Sequence, residues 1–275
     1  MAASQTDKAA RFRALHQGPG AFVIANAWDA GATRVLAGLG FQAIATSSGA
    51  QANVLGTRDG QVSREDALAH CGAIAAATDL PVSADLERGY FDEPAAVAET
   101  IRLAAGVGLV GGSIEDATAD RVNKPLYEFS HAVERVTAAV EASRKLSFPF
   151  VLTGRAEGFL RGQTNLDDLI KRLQAFEKAG ADVLMAPGLP DLASVKTVCS
   201  ALSKPFNFMV GIRGKSFSVA ELEAAGVRRI SLATSLYRAA MAGMIEAARE
   251  VKDKGTFGYL DRSVMTPDLS TYMQS

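Results

Sequence analysis

Two short stretches carry most of the chemistry in this sequence: PVSADLERGY at residues 81–90 and GGSIED at residues 111–116. Each begins as an apolar run and ends in carboxylates, Asp85 and Glu87 in the first, Glu115 and Asp116 in the second. A short apolar run reads as a strand buried on both faces, with its chemistry just past its C-terminal end. Neighbouring parallel strands would bring Asp85, Glu87 and Glu115 to one edge of a sheet. Carboxylates gathered at one point repel one another unless a positive charge sits among them. Hard oxygen donors point to a divalent cation, Mg²⁺ first and Mn²⁺ as the alternative. In this reading Asp85 is the direct ligand, and Glu87 and Glu115 act partly through water, because Mg²⁺ keeps several waters.

Strand-like runs recur along the chain at residues 21–25, 42–46, 81–84, 109–114, 149–153, 182–186, 205–210 and 228–232. Helical segments follow them at 29–38, 63–77, 93–105, 129–144, 165–179, 191–203, 218–225 and 234–252. Asp29 and Ser63 are expected N-caps, and a long loop is expected between 47 and 62. The 165–179 segment puts Leu166, Leu169, Ile170, Leu173 and Phe176 on one face. The turns AGLGF, KAGAD and AAGVR repeat one pattern, a helix ending on glycine before the next strand. Strand–helix units repeated in this way predict an α/β fold of the closed (β/α)₈ TIM-barrel type rather than an open sheet. No linker interrupts the pattern. One domain is therefore expected over residues 1–275, with an N-terminal helix and a polar C-terminal arm of about 253–275 that packs on a neighbouring subunit.

Composition narrows the function further. The 275 residues are 48% hydrophobic, with 29 basic and 30 acidic side chains and no block of like charge. Neither nucleic acid nor a membrane surface is an expected partner. The two cysteines, Cys71 and Cys199, make no disulfide framework and no zinc pattern, which suits a reducing compartment. No run is apolar enough for a signal core or a membrane span, so a cytoplasmic protein is expected.

The C-terminal ends of barrel strands build the active site. Here they supply Asn26 to Asp29, Thr46-Ser47-Ser48-Gly49, Asp85, Glu87, Glu115, Arg155, Glu157, Gly188, Arg213, Thr234 and Ser235. His16, His70 and His131 all fall in helices, as do both cysteines, so neither a Ser-His-Asp nor a Cys-His mechanism is supported. No strand carries a lysine for Schiff-base chemistry, and no glycine-rich nucleotide loop follows the first strand. What remains suits an anionic substrate with a carbonyl beside a carboxylate. A metal would polarise the keto oxygen, Arg155 would clamp the carboxylate, and N–H groups near Ser47 would hold an oxygen. The alternative for Arg155 is an ion pair with Glu157 or another carboxylate of the barrel end.

The stretches NAWDAGATRVLAGLGFQAIATSSG, LGTRDG, PVSADLERGY, SIEDAT, GRAEGF and ISLATSLYRAA together resemble the isocitrate lyase/phosphoenolpyruvate mutase family, over about residues 22–249. The resemblance implies a (β/α)₈ barrel, a homo-oligomer (a tetramer, or a dimer) in which the last helix swaps between barrels, and Mg²⁺-dependent chemistry. That chemistry makes or breaks C–C or P–C bonds in small 2-oxo or 2-hydroxy acids through an enolate. By the same resemblance Asp85, Glu87 and Glu115 match metal-site carboxylates, Ser47 a substrate-holding serine with Ser48 and Gly49 beside it, and Arg155 the substrate-carboxylate arginine. Asp59 matches an aspartate near the site, and Asn123 a gating-loop asparagine.

The departures from the family pattern narrow the activity. Where the lyases of isocitrate and methylisocitrate carry a Lys-Lys-Cys-Gly-His gate, this chain reads DATADRVNKPLYE at residues 116–128. Ala45 stands where the mutases have Trp, Ala186-Pro187 where they have His, and Glu87 where they have Asp. The expected activity is that of a lyase or decarboxylase on a small 2-oxo or 2-hydroxy dicarboxylate. A phosphonopyruvate-type mutase or hydrolase is the runner-up, and a non-catalytic oxo-acid binder the third reading. The polar 116–128 segment is expected to close over ligand.

Overall fold

A computed structural model describes residues 3–120 and 122–273. Helix α1 (Gln5–Gln17) begins in a reciprocal capping box between Ser4 and Asp7. Eight parallel strands then close a barrel in chain order: β1 (Phe22–Asn26), β2 (Ile44–Ala45), β3 (Val82–Asp85), β4 (Gly111–Glu115), β5 (Val151–Arg155), β6 (Val183–Met185), β7 (Phe206–Met209) and β8 (Arg229–Ser231), with β8 pairing back to β1. The helices between them are α2 (Ala30–Gly38), α3 (Ser48–Val54), α4 (Arg64–Ala76), α5 (Pro94–Gly106), α6 (Phe129–Arg144), α7 (Leu166–Lys178), α8 (Leu192–Ser200) and α9 (Val219–Ala224). The TIM-type barrel read from the sequence is the observed fold.

The expected helix starts hold because short polar side chains satisfy the first free N–H groups. Asp29 accepts from Ala32, and Ser63 from Asp66. On α7, Leu169, Leu173 and Phe176 are buried, and Leu166 and Ile170 pack partly against the same core. Burying each such side chain contributes roughly 1.5–3 kcal/mol.

Two stretches differ from the sequence reading. The expected loop after β2 contains α3, because Ser47 leaves the strand and caps a helix, accepting from Ala50. The segment SGAQANV has no apolar stripe to announce that helix. Strand β5 is displaced two residues from the expected 149–153, so Arg155 lies inside the strand, paired in register with Glu115 and Met185.

Alternate residues of the strands face opposite sides. Outward-facing Val82, Ile114, Leu152, Leu184, Phe206, Phe208 and Ile230 pack against the helices in one large core. The N-terminal mouth is closed separately. There α1 inserts Ala9 and Phe12 among Ile24, Ala43, Val110, Val151 and Val183. Gly111 makes room for this plug, since a Cβ there would sit 2.7 Å from the Phe12 ring.

The last long helix, α10 (Ser235–Lys254), has no buried residue and exposes Met244, Ile245 and Val251. Beyond it, α11 (Thr266–Tyr272) lies on α2. Arg34 donates to the Met273 carbonyl at 2.8 Å, and the Tyr272 ring sits where any side chain at Gly38 would collide. The tail is less polar than expected, with Phe257, Leu260, Val264, Met265 and Leu269 exposed.

His16, in the buried face of α1, is held neutral. Its Nδ1 donates to the Phe12 carbonyl at 2.8 Å, which leaves Nε2 to accept from Arg229 at 3.3 Å. Burial and then the Arg229 charge push its pKa from 6.5 down to about 3. The folded state therefore resists a proton that the unfolded chain takes up. The stability this provides is complete above pH 6.5 and is lost as pH falls toward 3, at up to about 1.4 kcal/mol per pH unit. Melting temperatures between pH 7 and pH 4 should fall less steeply for His16→Gln than for wild type. Equal slopes would show that His16 does not titrate on unfolding.

Candidate active site

The C-terminal end of the barrel is organised around Arg155. Its Nε donates to Glu157 Oε1 at 2.6 Å, while Nη1 lies 3.5 Å from Asp85 Oδ1 and 3.4 Å from Glu115 Oε2. Burial works against the guanidinium charge, but Glu157, Glu115 and Asp85 outweigh it and hold Arg155 firmly protonated. Burial pushes the Glu115 carboxyl well above its ordinary range, and Arg155 pulls it partly back. The ion pair considered for Arg155 thus exists, and it joins three carboxylates rather than one. Arg161 reaches the far oxygen of Glu157 at 3.4 Å.

Arg155 also lines a cavity of about 280 Å³ that runs down the barrel axis. Around its mouth stand Ser47, Ser48, Gly49, Asp59, Asp85, Ala233 and Thr234. Ser48 donates to Asp85 Oδ2 through its hydroxyl at 3.0 Å and its amide at 3.4 Å. The Thr46 hydroxyl accepts from the Asp85 amide at 3.1 Å, and Asp85 Oδ1 accepts from the Glu87 amide at 3.2 Å. Asp85 is thereby fixed in place from both neighbouring segments. A Cβ on Gly49 would touch Thr234 at 3.1 Å and lie 3.9 Å from the Asp59 carboxylate, so the missing side chain keeps the mouth open.

The loop after β3 is strained. Among the described residues only Glu87, Tyr90 and Ala233 have positive φ without being glycine, and all three lie at this end of the barrel. Buried Arg135 on α6 holds that loop by donating to the carbonyls of Arg88, Phe91 and Asp92 and stacks over the Tyr127 ring at 4.1 Å. Burial, with Cys71 and the carboxylates of Glu87, Asp85 and Glu115 nearby, pushes the Tyr90 phenol up, so it stays neutral. Asp116 serves structure. It accepts from the Glu157 amide at 2.8 Å, faces Arg172 at 3.4 Å, and is pushed by burial to about 6.

The structure brings Ser47, Ser48, Gly49, Asp59, Asp85 and Arg155 to one cavity, with Glu115 immediately behind Arg155. Glu87 does not line it; its amide donates to Asp85, and its carbonyl accepts from the Glu115 amide of β4. No group of three His, Cys, Asp or Glu side chains among the described residues has metal-binding spacing. Asp85 and Glu115 do converge on one positive group, and two hard oxygen donors suit a cation that retains most of its waters. Asn123 stands apart: it is exposed at the tip of the 116–128 segment and hydrogen-bonds to Asp120. The base of that segment is pinned by the Thr118 and Tyr127 amides, to the Pro125 and Asp116 carbonyls.

Sequence reasoning missed the cavity floor. Ser83, Ser113, Met185, Asn207, Arg229 and Ser231 line it beside Asn26, which the strand-end reading includes, and nothing in the strand sequences distinguishes an inward position from an outward one in a barrel buried on both sides. A larger groove of about 990 Å³ lies at the opposite end, between α1 and the loops entering β5, β6 and β7. Its charged lining includes the Arg144–Asp182 ion pair at 2.7 Å, and it lies away from the face where barrels carry chemistry. The Cys71 thiol, buried and pushed up to about 12, is no nucleophile.

A solved structure from Burkholderia cenocepacia J2315, described as a lyase/mutase, superposes with a TM-score of 0.96 at 47% identity, covering 98% of this chain and 97% of that one. The 2-methylisocitrate lyase of Escherichia coli K12 is 28% identical over 79% of this chain and 75% of its own. An oxaloacetate decarboxylase of Ectopseudomonas mendocina is 26% identical over 90% and 86%. The sequence model for phosphoenolpyruvate phosphomutase matches residues 12–252. With that match across nearly the whole barrel, the chain belongs to the phosphoenolpyruvate mutase family within the isocitrate lyase/phosphoenolpyruvate mutase superfamily of enzymes.

Proposed function

We propose that this enzyme is a divalent-cation-dependent lyase or decarboxylase acting on a small 2-oxo or 2-hydroxy dicarboxylic acid. The observation that carries this reading is the shared cavity of Arg155, Asp85 and the Ser47–Gly49 turn, with no His, Cys or Lys among the described residues lining it. Asp85 and Glu115 are the residues that would hold the cation, Mg²⁺ or Mn²⁺, with Glu87 contributing through water. When bound, such an ion polarises a substrate carbonyl and stabilises the negative charge that develops on its oxygen.

The chain's own residues do the rest. Arg155 offers a planar fork to a substrate carboxylate, its orientation fixed by Glu157. The Ser47 hydroxyl, which accepts from the Ala50 amide, keeps its hydrogen for a substrate oxygen, while Ser48 spends its own on Asp85. Loss of CO₂ from a 2-oxo diacid needs no base, whereas cleavage of a 2-hydroxy acid needs one to take the hydroxyl proton. Glu157 is buried and bound by two arginines, so Asp59, at the cavity mouth, is the better placed base. Decarboxylation therefore asks least of these side chains.

Purified protein with Mg²⁺ should release pyruvate from oxaloacetate or from a dimethylmalate, and lose that turnover with a chelator. Turnover of phosphonopyruvate alone would favour the mutase reading, and turnover of none a binding protein. Arg155→Lys should lose at least about tenfold in kcat/KM, because lysine cannot reproduce the fork. Asn123→Ala should lower turnover as well if the 116–128 tip closes over substrate. Unchanged constants in both variants would remove them from the site.

The subunit arrangement is also proposed. Helix α10 follows β8 yet buries nothing, and it presents Met244, Ile245 and Val251 to solvent. A second barrel that accepts this helix would cover the face, giving a dimer or a dimer of dimers, with the 253–275 arm beside the same interface. Light scattering should show an oligomer for wild type and a smaller species for Met244→Glu/Ile245→Glu. A wild-type monomer would overturn the arrangement.

A further inference from the structure

The floor of the cavity holds a buried cation without a counter-ion. Arg229, on β8, is 5% exposed. Its Nε donates to Asn207 Oδ1 at 2.8 Å, Nη2 to Thr153 Oγ1 at 2.8 Å, and Nη1 to His16 Nε2 at 3.3 Å. Every one of these acceptors is neutral. Asn207 cannot supply the missing charge, since its other end donates to Ser231 Oγ at 3.0 Å. No ion pair to Arg229 occurs among the described residues, and burial lowers its pKa to about 9, which still leaves it charged at neutral pH. A buried charge in this state is normally paired. Arg155, at the mouth of the same cavity, is surrounded by three carboxylates, so the contrast is local.

Both arginines line the one cavity, together with Ser83, Ser113 and Ser231. Thr153, which touches the Arg229 guanidinium, precedes Arg155 by two residues on β5. At the usual strand rise the two levels are about 7 Å apart, a span that a short dicarboxylate covers from end to end. Small hydroxyl side chains, Ser83, Ser113 and Ser231, line the interior beside Ile24, Met185 and Met209, and the space stays open.

We propose that Arg229, with Asn207 and the hydroxyls around it, forms a second anion subsite at the floor of the cavity, which takes the distal carboxylate of a short dicarboxylate whose 2-oxo-acid end lies at Arg155. This inference rests on the oxo-acid reading of the site and specifies its substrate class. The bound carboxylate supplies the charge that the barrel interior lacks, so Arg229 selects for diacids over monoacids of equal length.

Calorimetric titration in the presence of Mg²⁺ tests it with two matched pairs: oxaloacetate against 2-oxobutyrate, and 2-oxoglutarate against 2-oxovalerate. Wild type should bind at least one diacid about tenfold or more tightly than its partner. Arg229→Met should erase that preference while leaving monoacid affinity within about twofold, and Arg229→Lys, which keeps the charge without the fork, should retain part of it. Replacing a buried charge by an apolar side chain of similar size is often tolerated, and the Lys variant supports the test if the Met variant does not fold. A diacid preference that survives in Arg229→Met, or equal wild-type affinity within both pairs, overturns the subsite and leaves the oxo-acid reading standing. Failure of wild type to bind any of the four acids overturns both.

Discussion

The charge on Arg155 is the constraint from which the rest of this site follows. Asp85, Glu115 and Glu157 stand on three successive strand ends, and all three carboxylates meet its guanidinium. Without that cation the three could not share a largely buried edge, and even beside it burial keeps the Glu115 carboxyl well above its ordinary range. With it, the barrel end is a preformed array of carboxyl oxygens around one positive fork. The same group that balances the carboxylates faces the cavity, so the ion-pair array and the cavity wall share one side chain.

Such an array must be held rigidly to discriminate between ligands, and its supports come from different parts of the chain. Thr46 and Ser48 fix Asp85 from the β2 side, Arg135 clamps the following loop from α6, and Asp116 anchors the turn that carries Glu157. The positive φ values at Glu87, Tyr90 and Ala233 show where the backbone is strained to make these turns. The hydrogen bonds from Arg135 to the loop carbonyls and the large outer core stabilise the fold against that strain.

The barrel interior divides into two regimes. Below, α1 plugs the mouth with Phe12 and Ala9 in a small apolar cluster. Above it the lining turns to serine, threonine and asparagine around Arg229, and the space stays open as a cavity. Neutral His16 joins the two, since it accepts from Arg229 while packing edge-on against Phe12 and Phe22. The N-terminal helix α1 is therefore part of the floor under the site.

Local sequence alone determined a good deal of this protein. The alternation of apolar runs with capped amphipathic segments specified a (β/α)₈ barrel, because each signal depends only on neighbouring residues. Asp29 and Ser63 cap helices wherever those helices go. The position of Asp85 at a strand end located the catalytic face, and the family motifs pointed to Ser47, Asp59 and Arg155. What tertiary structure decided were matters of register and of long-range partners. A two-residue displacement of β5 put Arg155 level with Glu115. The turn of Ser47 out of β2 created α3, and the loop tip left Asn123 in solvent. Arg229 escaped notice because its meaning lies in an absence of charge around it, and its contacts come from residues 22, 76 and 213 positions away in sequence. No local pattern encodes that absence. It exists only once eight strands have closed and their inward faces share one space.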